Sequence, residues 1–133
     1  MQDLSHFWSG DLSVAANGDL LVASNMVAGE QRVLRRLLTN PALVDDSGTT
    51  QASGDYVFHP GYGAGLPRLV GTPVNVPATA SLINAQLAQE QAVASLPAPE
   101  ISLTTFQNGV NAFIQYNDVA TQKPVILDFD VTQ

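Results

Sequence analysis

The sequence predicts an α+β domain, with an N-terminal β-hairpin and two main helices ahead of a C-terminal antiparallel three-stranded meander. Three observations carry this. Apolar residues recur at helical spacing in two separate stretches, 27–38 and 78–93. They alternate with other residues at the period of a strand across 110–116 and 125–131. Asn-Gly dipeptides stand at 17–18 and 108–109, where a two-residue hairpin turn needs positive φ at both central positions. The helical and strand patterns are grouped and show little βαβ alternation, which argues against a doubly wound parallel sheet.

Composition sets the frame for these elements. A chain of 133 residues has the length of one domain, 1–133, built around a single hydrophobic core. Apolar residues make up 45% and charged residues only 13%, which is globular but thin in the charge that keeps a free monomer soluble, so part of the surface is expected to be covered by partners. Five Lys and Arg face twelve Asp and Glu, a net charge of −7, so a phosphate backbone or an anionic membrane is repelled on average. No nucleic-acid or membrane partner is expected. The absence of cysteine excludes disulfides and thiolate metal sites. No stretch reaches the ~20 apolar residues that span a bilayer, and the pattern of a secretory signal is missing, so synthesis in the cytoplasm is expected.

Along the chain, residues 11–23 form two short apolar runs joined by Asn17-Gly18, the first hairpin. From about 27 to 38, Val33, Leu34, Leu37 and Leu38 share one helical side, while Arg32, Arg35 and Arg36 lie on another. Asn40-Pro41 stops that helix. Residues 42–56 are small and polar without a period and read as an exposed loop. In 57–65 aromatics sit among three glycines, where the backbone bends while rings anchor it, and 66–71 suits one helical turn with Pro67 near its start. The second helix, 78–93, has Leu82, Ile83, Leu87 and Ala88 on its apolar side, with Gln86, Gln89 and Glu90 outside it, and Pro97 and Pro99 end it. In the meander, Val110, Ala112, Ile114 and Tyr116 share one strand face. In the last strand Val125, Leu127, Phe129 and Val131 share one face, and Ile126, Asp128 and Asp130 the other. That strand is expected at a sheet edge.

Several of these stretches together resemble a known family. They are Asp-Leu-Ser-Val at 11–14 with Asn-Gly-Asp-Leu at 17–20, the Arg-bearing helix closing on Arg36-Leu37-Leu38-Thr39, and His59-Pro60-Gly61-Tyr62-Gly63 with Leu66. Their order is similar to that of the baseplate assembly protein W family, the lysozyme-like wedge proteins of contractile phage tails, with relatives in type VI secretion baseplates. The resemblance covers roughly residues 11–105 and continues into the meander. Residues 42–56 look inserted relative to the family, and Leu96-Pro97-Ala98-Pro99-Glu100 stands where relatives often carry Glu-Pro-Arg. The resemblance implies a virion structural subunit of the tail baseplate, without cofactor, that joins other wedge proteins around the tail hub and offers a strand platform to the first sheath ring. Leu38, Thr39, Pro60, Gly61, Tyr62 and Gly63 are its structural motif.

The partner-binding residues expected are Arg32, Arg35 and Arg36 on the first helix and Val125, Leu127, Phe129 and Val131 on the last strand. The three arginines stand at i, i+3 and i+4, and a planar guanidinium favours bidentate contacts at interfaces. The rival expectation is a peptidoglycan-cleaving tail lysozyme, which needs two carboxyl groups facing one cleft. Asp45, Asp46, Asp55, Glu90 and Glu100 are the acids available, and none has the sequence setting of a buried acid against an aromatic wall except Asp55 beside Tyr56. Asp128 and Asp130 fall short of the six to eight oxygens Ca²⁺ takes, and His59 has only His6 as a possible companion ligand, so a solvated strand face and a packed loop histidine are expected. Gly61, Gly63 and Gly65 lack the Lys-Ser or Lys-Thr of a phosphate loop.

Overall fold

The computed structural model describes residues 2–4, 14, 16–19 and 22–132. The architecture is α+β: helices lie on one face of a three-stranded antiparallel sheet, as expected. Two small two-stranded sheets accompany it. In one, β1 (Gln2–Leu4) pairs antiparallel with β2 (Val22–Ser24), in the register Gln2↔Ser24 and Leu4↔Val22. The hairpin expected at 11–23 lies largely outside the described residues; a turn at 16–19 is described, with Gly18 at φ 89°.

Helix α1 (Asn25–Leu38) buries Ala28, Val33, Leu37 and Leu38, the stripe that its spacing sets. It ends before Pro41, and the Thr39 hydroxyl donates back to the Arg35 carbonyl at 2.6 Å. Residues 42–56 hold more order than expected of an exposed loop. They contain the second small sheet, β3 (Leu43–Val44) against β4 (Thr50–Ala52). Asp45 organises its turn, accepting from Ser47 Oγ at 2.6 Å, Thr49 N at 2.9 Å and Gln51 Nε2 at 2.7 Å. These bonds hold the exposed Asp45 carboxyl below its usual range, the Ser47 hydroxyl first among them. A short 3₁₀ turn follows at Leu66–Leu69, with Pro67 near its start.

Helix α2 (Val76–Leu87) is shorter than the 78–93 expected, starting under an Asn75 cap whose side chain accepts from Ala78 N at 3.1 Å. It buries Thr79, Ile83, Gln86 and Leu87, while Leu82 and Ala88, placed on the apolar side from the sequence, are exposed. The main sheet runs in the order β5 (Glu100–Phe106), β6 (Gly109–Asn117), β7 (Pro124–Thr132), with β6 central and β7 at one edge. Val110, Ala112, Ile114 and Tyr116 of β6 and Val125, Leu127 and Val131 of β7 face inward and pack with Val33 and Leu37 of α1 and Ile83 and Leu87 of α2. Fully burying one such side chain contributes about 2 kcal/mol, so this layer is the main source of stability.

Candidate functional site

The motif residues meet at the C-terminal end of α1. The last carbonyls of a helix have no partner within it. Here the amides of Ala64 and Gly65 supply them, donating to Arg36 O at 3.0 Å and Thr39 O at 2.9 Å. The end of α1 is therefore capped by the two residues that follow the Pro60-Gly61-Tyr62-Gly63 bend, and the bend itself packs on Thr39 through Gly63. Gly63 sits at φ 112°, and a Cβ there would overlap the Thr39 carbonyl, so a larger residue is barred on two counts. Pro60 O accepts from Ala42 N at 2.6 Å and His59 O from Tyr62 N at 2.9 Å, which ties the bend to the start of the β3–β4 hairpin.

Onto this cap folds Arg36. Its Nε donates to Glu90 Oε1 at 2.5 Å, its Nη1 to Gln86 Oε1 at 3.1 Å, and its guanidinium carbon lies 4.4 Å from the centre of the Tyr62 ring. Arg32 Nε donates to the other Glu90 oxygen, Oε2, at 3.3 Å. One carboxylate, 1% exposed at its side chain, thus serves two guanidinium groups. Tyr62 in turn meets Tyr56 edge to face at 5.9 Å, and Tyr56 meets His59 at 4.9 Å. Burial pushes the Tyr62 hydroxyl above its usual pKa, and the Arg36 charge opposes that shift.

The expectation that Arg32, Arg35 and Arg36 together form a partner-binding face is corrected by this geometry. Arg36 is buried at 9% exposure and internally paired, Arg32 is partly buried and shares the same carboxylate, and Arg35 lies at the surface. Arg35 lines an open cleft of about 370 Å³ with Thr39, Asp55, Tyr56 and Tyr62. Glu90 and Gln86, placed on the second helix outside its apolar side from the sequence, are buried. The physical reason is the arginine: a buried guanidinium demands acceptors, and these two supply them. For Gln86 a signal was present in the spacing, because it shares a helical stripe with Thr79 and Ile83, whereas Glu90 lies beyond the end of α2.

The last strand needs a similar correction. Val125, Leu127 and Val131 are buried and Phe129 is half-buried, so their side chains belong to the core of this chain and are not offered to a partner. Outward on β7 are Ile126, Asp128 and Asp130. Missed from the sequence was the tip of the 56–59 turn, closed by His59 N donating to Tyr56 O at 3.2 Å, where Val57 is 80% and Phe58 85% exposed.

The acids weighed for hydrolysis are dispersed in role. Asp45 organises its hairpin turn, Asp55 Oδ2 accepts from Asn40 N at 2.8 Å, Glu90 pairs with the arginines, and Glu100 opens β5. A further buried acid, Asp118, accepts from Thr121 N at 2.9 Å and Thr121 Oγ1 at 3.0 Å and so fixes the β6–β7 turn. Among the described residues no group of three or more His, Asp or Glu is placed to hold a metal ion, and no helix is long and apolar enough to cross a membrane. His59 stays exposed with its ring against Tyr56, and His6 lies outside the described residues. No known protein family, curated protein or solved structure matches this chain.

Proposed function

We propose that this chain is a structural subunit of a contractile-tail baseplate wedge, which joins other wedge proteins around the tail hub and receives the first sheath ring on its terminal sheet. The observation that carries the reading is the union of the motif's two halves. The Arg36-Leu37-Leu38-Thr39 helix end and the Pro60-Gly61-Tyr62-Gly63 bend resemble the wedge family, and they lie together here: Gly63 packs on Thr39, Arg36 lies over Tyr62, and the two amides just after the bend cap the helix. Within that joint Glu90 is spent on Arg36 and Arg32, which supports a structural role for the motif. The low charge content and the edge position of β7 accord with a subunit designed to be covered.

The test is genetic and physical together. In a strain producing contractile particles that carry this chain, deleting its gene is expected to abolish assembled baseplates, and the tagged full chain is expected to sediment with tails. Complete, sheathed particles formed without it would overturn the reading, as would clearing of purified cell walls by the pure chain, lost on Asp55→Asn. The strand platform has its own test. Removing β7 would strip Val125, Leu127 and Val131 from the core, so a labelling experiment replaces deletion. Because the chain has no cysteine, Thr132→Cys carries a single crosslinker at the exposed end of β7. Crosslinks to sheath subunits in intact particles are expected; crosslinks confined to other proteins refute the platform.

A further inference from the structure

The inner face of the main sheet is covered by helices, while its outer face is exposed. On that face β6 contributes Asn111 and Phe113, β7 contributes Ile126, Asp128 and Asp130, and β5 contributes Glu100, with cross-strand partners Phe113↔Asp128, Asn111↔Asp130 and Gln115↔Ile126. Two properties coincide there. The first is apolar area: Ile126 is 56% exposed, and the half-buried Phe113 stands beside it, one row along on the central strand. The second is charge of one sign. Asn111 Nδ2 donates to Asp128 Oδ1 at 2.9 Å and to Asp130 Oδ1 at 2.8 Å, so one amide holds two carboxylates in place along the strand. No Lys or Arg lies on β5, β6 or β7, and Lys123 falls in the turn before β7.

We propose that this face is the docking surface for a basic amphipathic helix of a partner protein, whose apolar row lies over Phe113 and Ile126 and whose Lys or Arg side chains reach Asp128, Asp130 and Glu100. Dimensions favour a helix: three strands spaced about 4.8 Å apart offer a width of about 10 Å, the diameter of one α-helix. Charge selects its composition and excludes the other occupants. A second copy of this chain would bring the same carboxylates face to face, and nucleic acid or an anionic membrane would be repelled. A divalent cation would find two carboxylates already spanned by an amide donor. The proposal stands on the sheet alone and holds whether or not the chain is a wedge subunit.

The test uses the full chain, isotope-labelled for NMR, and as probe a synthetic amphipathic peptide of Leu and Lys about 18 residues long, five helical turns. A peptide of the same pattern with Glu for Lys is the control. The Leu/Lys peptide is expected to shift the resonances of Asn111, Phe113, Ile126 and Asp128 selectively. Asp128→Lys with Asp130→Lys is expected to weaken it about tenfold or more, and the charge reversal Asp46→Lys, which leaves Asp45 to hold its turn, to leave it unchanged. Ile126→Ser, which keeps every charge, is expected to weaken binding as well. Shifts centred elsewhere, equal binding of the Leu/Glu peptide, equal loss from the two charge reversals, or no binding would each overturn the proposal.

Discussion

Replacing Arg36 by Met should destabilise this fold far more than replacing Arg32, although both arginines hold the same carboxylate. Arg36→Met removes a 2.5 Å ion pair to Glu90, the bond to Gln86 and the charge over Tyr62, and leaves Glu90 buried. Removing one partner of a buried pair costs about 3–5 kcal/mol, since the other charge is stranded away from water. Arg32 remains 3.3 Å from Oε2, so the lower end applies, about 3 kcal/mol. For a chain of this size that is a fall in Tm of roughly 10–15 °C. Arg32 is 40% exposed at its side chain, and its loss leaves Glu90 paired, so Arg32→Met should cost about 0.5–1 kcal/mol. Urea unfolding followed by circular dichroism measures both. Glu90→Leu completes a double-mutant cycle with Arg36→Met, in which the double variant should recover about 2 kcal/mol relative to the sum of the singles. Equal costs for the two arginines, or strictly additive singles, would refute the claim that Arg36 and Glu90 form the buried joint of the motif.

Three further outcomes follow from the same geometry. Gly63→Ala should cost about 2 kcal/mol or more, because the Cβ meets the Thr39 carbonyl at positive φ, whereas Gly61→Ala, which meets open space, should stay within about 1 kcal/mol; urea midpoints compare them. Burial, then the charges of Glu30, Asp118 and Glu90, raise the Tyr116 hydroxyl above its usual value near 10. The unfolded chain therefore ionises first, and this stability is complete below about pH 10 and lost as pH rises beyond it; Tyr116→Phe should flatten the alkaline fall in a stability profile. The depressed Asp45 carboxyl gives the opposite sign: its bonds to Ser47 and Thr49 persist above the usual carboxylate range and release as pH falls through the lowered value. An NMR titration of those two amides should show a midpoint below 3.8, and one at or above it would refute the turn's account.

Periodicity made most of the fold legible and polarity made least of the site so. The alternation at 110–116 and 125–131 was sufficient to assign both inner faces of the meander, because a one-residue slip would have moved every apolar residue to the outside. The stripe of Val33, Leu37 and Leu38 likewise fixed which side of α1 is buried. What failed was the assumption that a charged side chain marks an outward face. Leu82 was taken inward and Glu90 outward, yet Leu82 is exposed and Glu90 buried, since hydropathy cannot see that Arg36 arrives from another helix to neutralise the acid. The order within 42–56 escaped for a related reason: its strands are two and three residues long, and its turn is held by one aspartate, too local to create a period.

These corrections redistribute where contact with other molecules can occur. Arginines count toward an interface only if they are free to meet a partner, and here Arg36 and Arg32 are occupied by Glu90. The apolar row of β7 is likewise spent on the core. Among the surfaces the described residues do present are the Val57-Phe58 tip, held on a hydrogen-bonded turn, and the outer sheet face, where a single amide fixes two aspartates. Both are pre-organised, so a partner that meets them recovers its binding free energy without first ordering a loop or a side chain. The family-like motif and the presented surfaces are thus separate parts of the molecule. The motif ties α1, the aromatic bend and the segment after α2 together through Arg36, Glu90 and Tyr62, on the side of the sheet that its outer face turns away from.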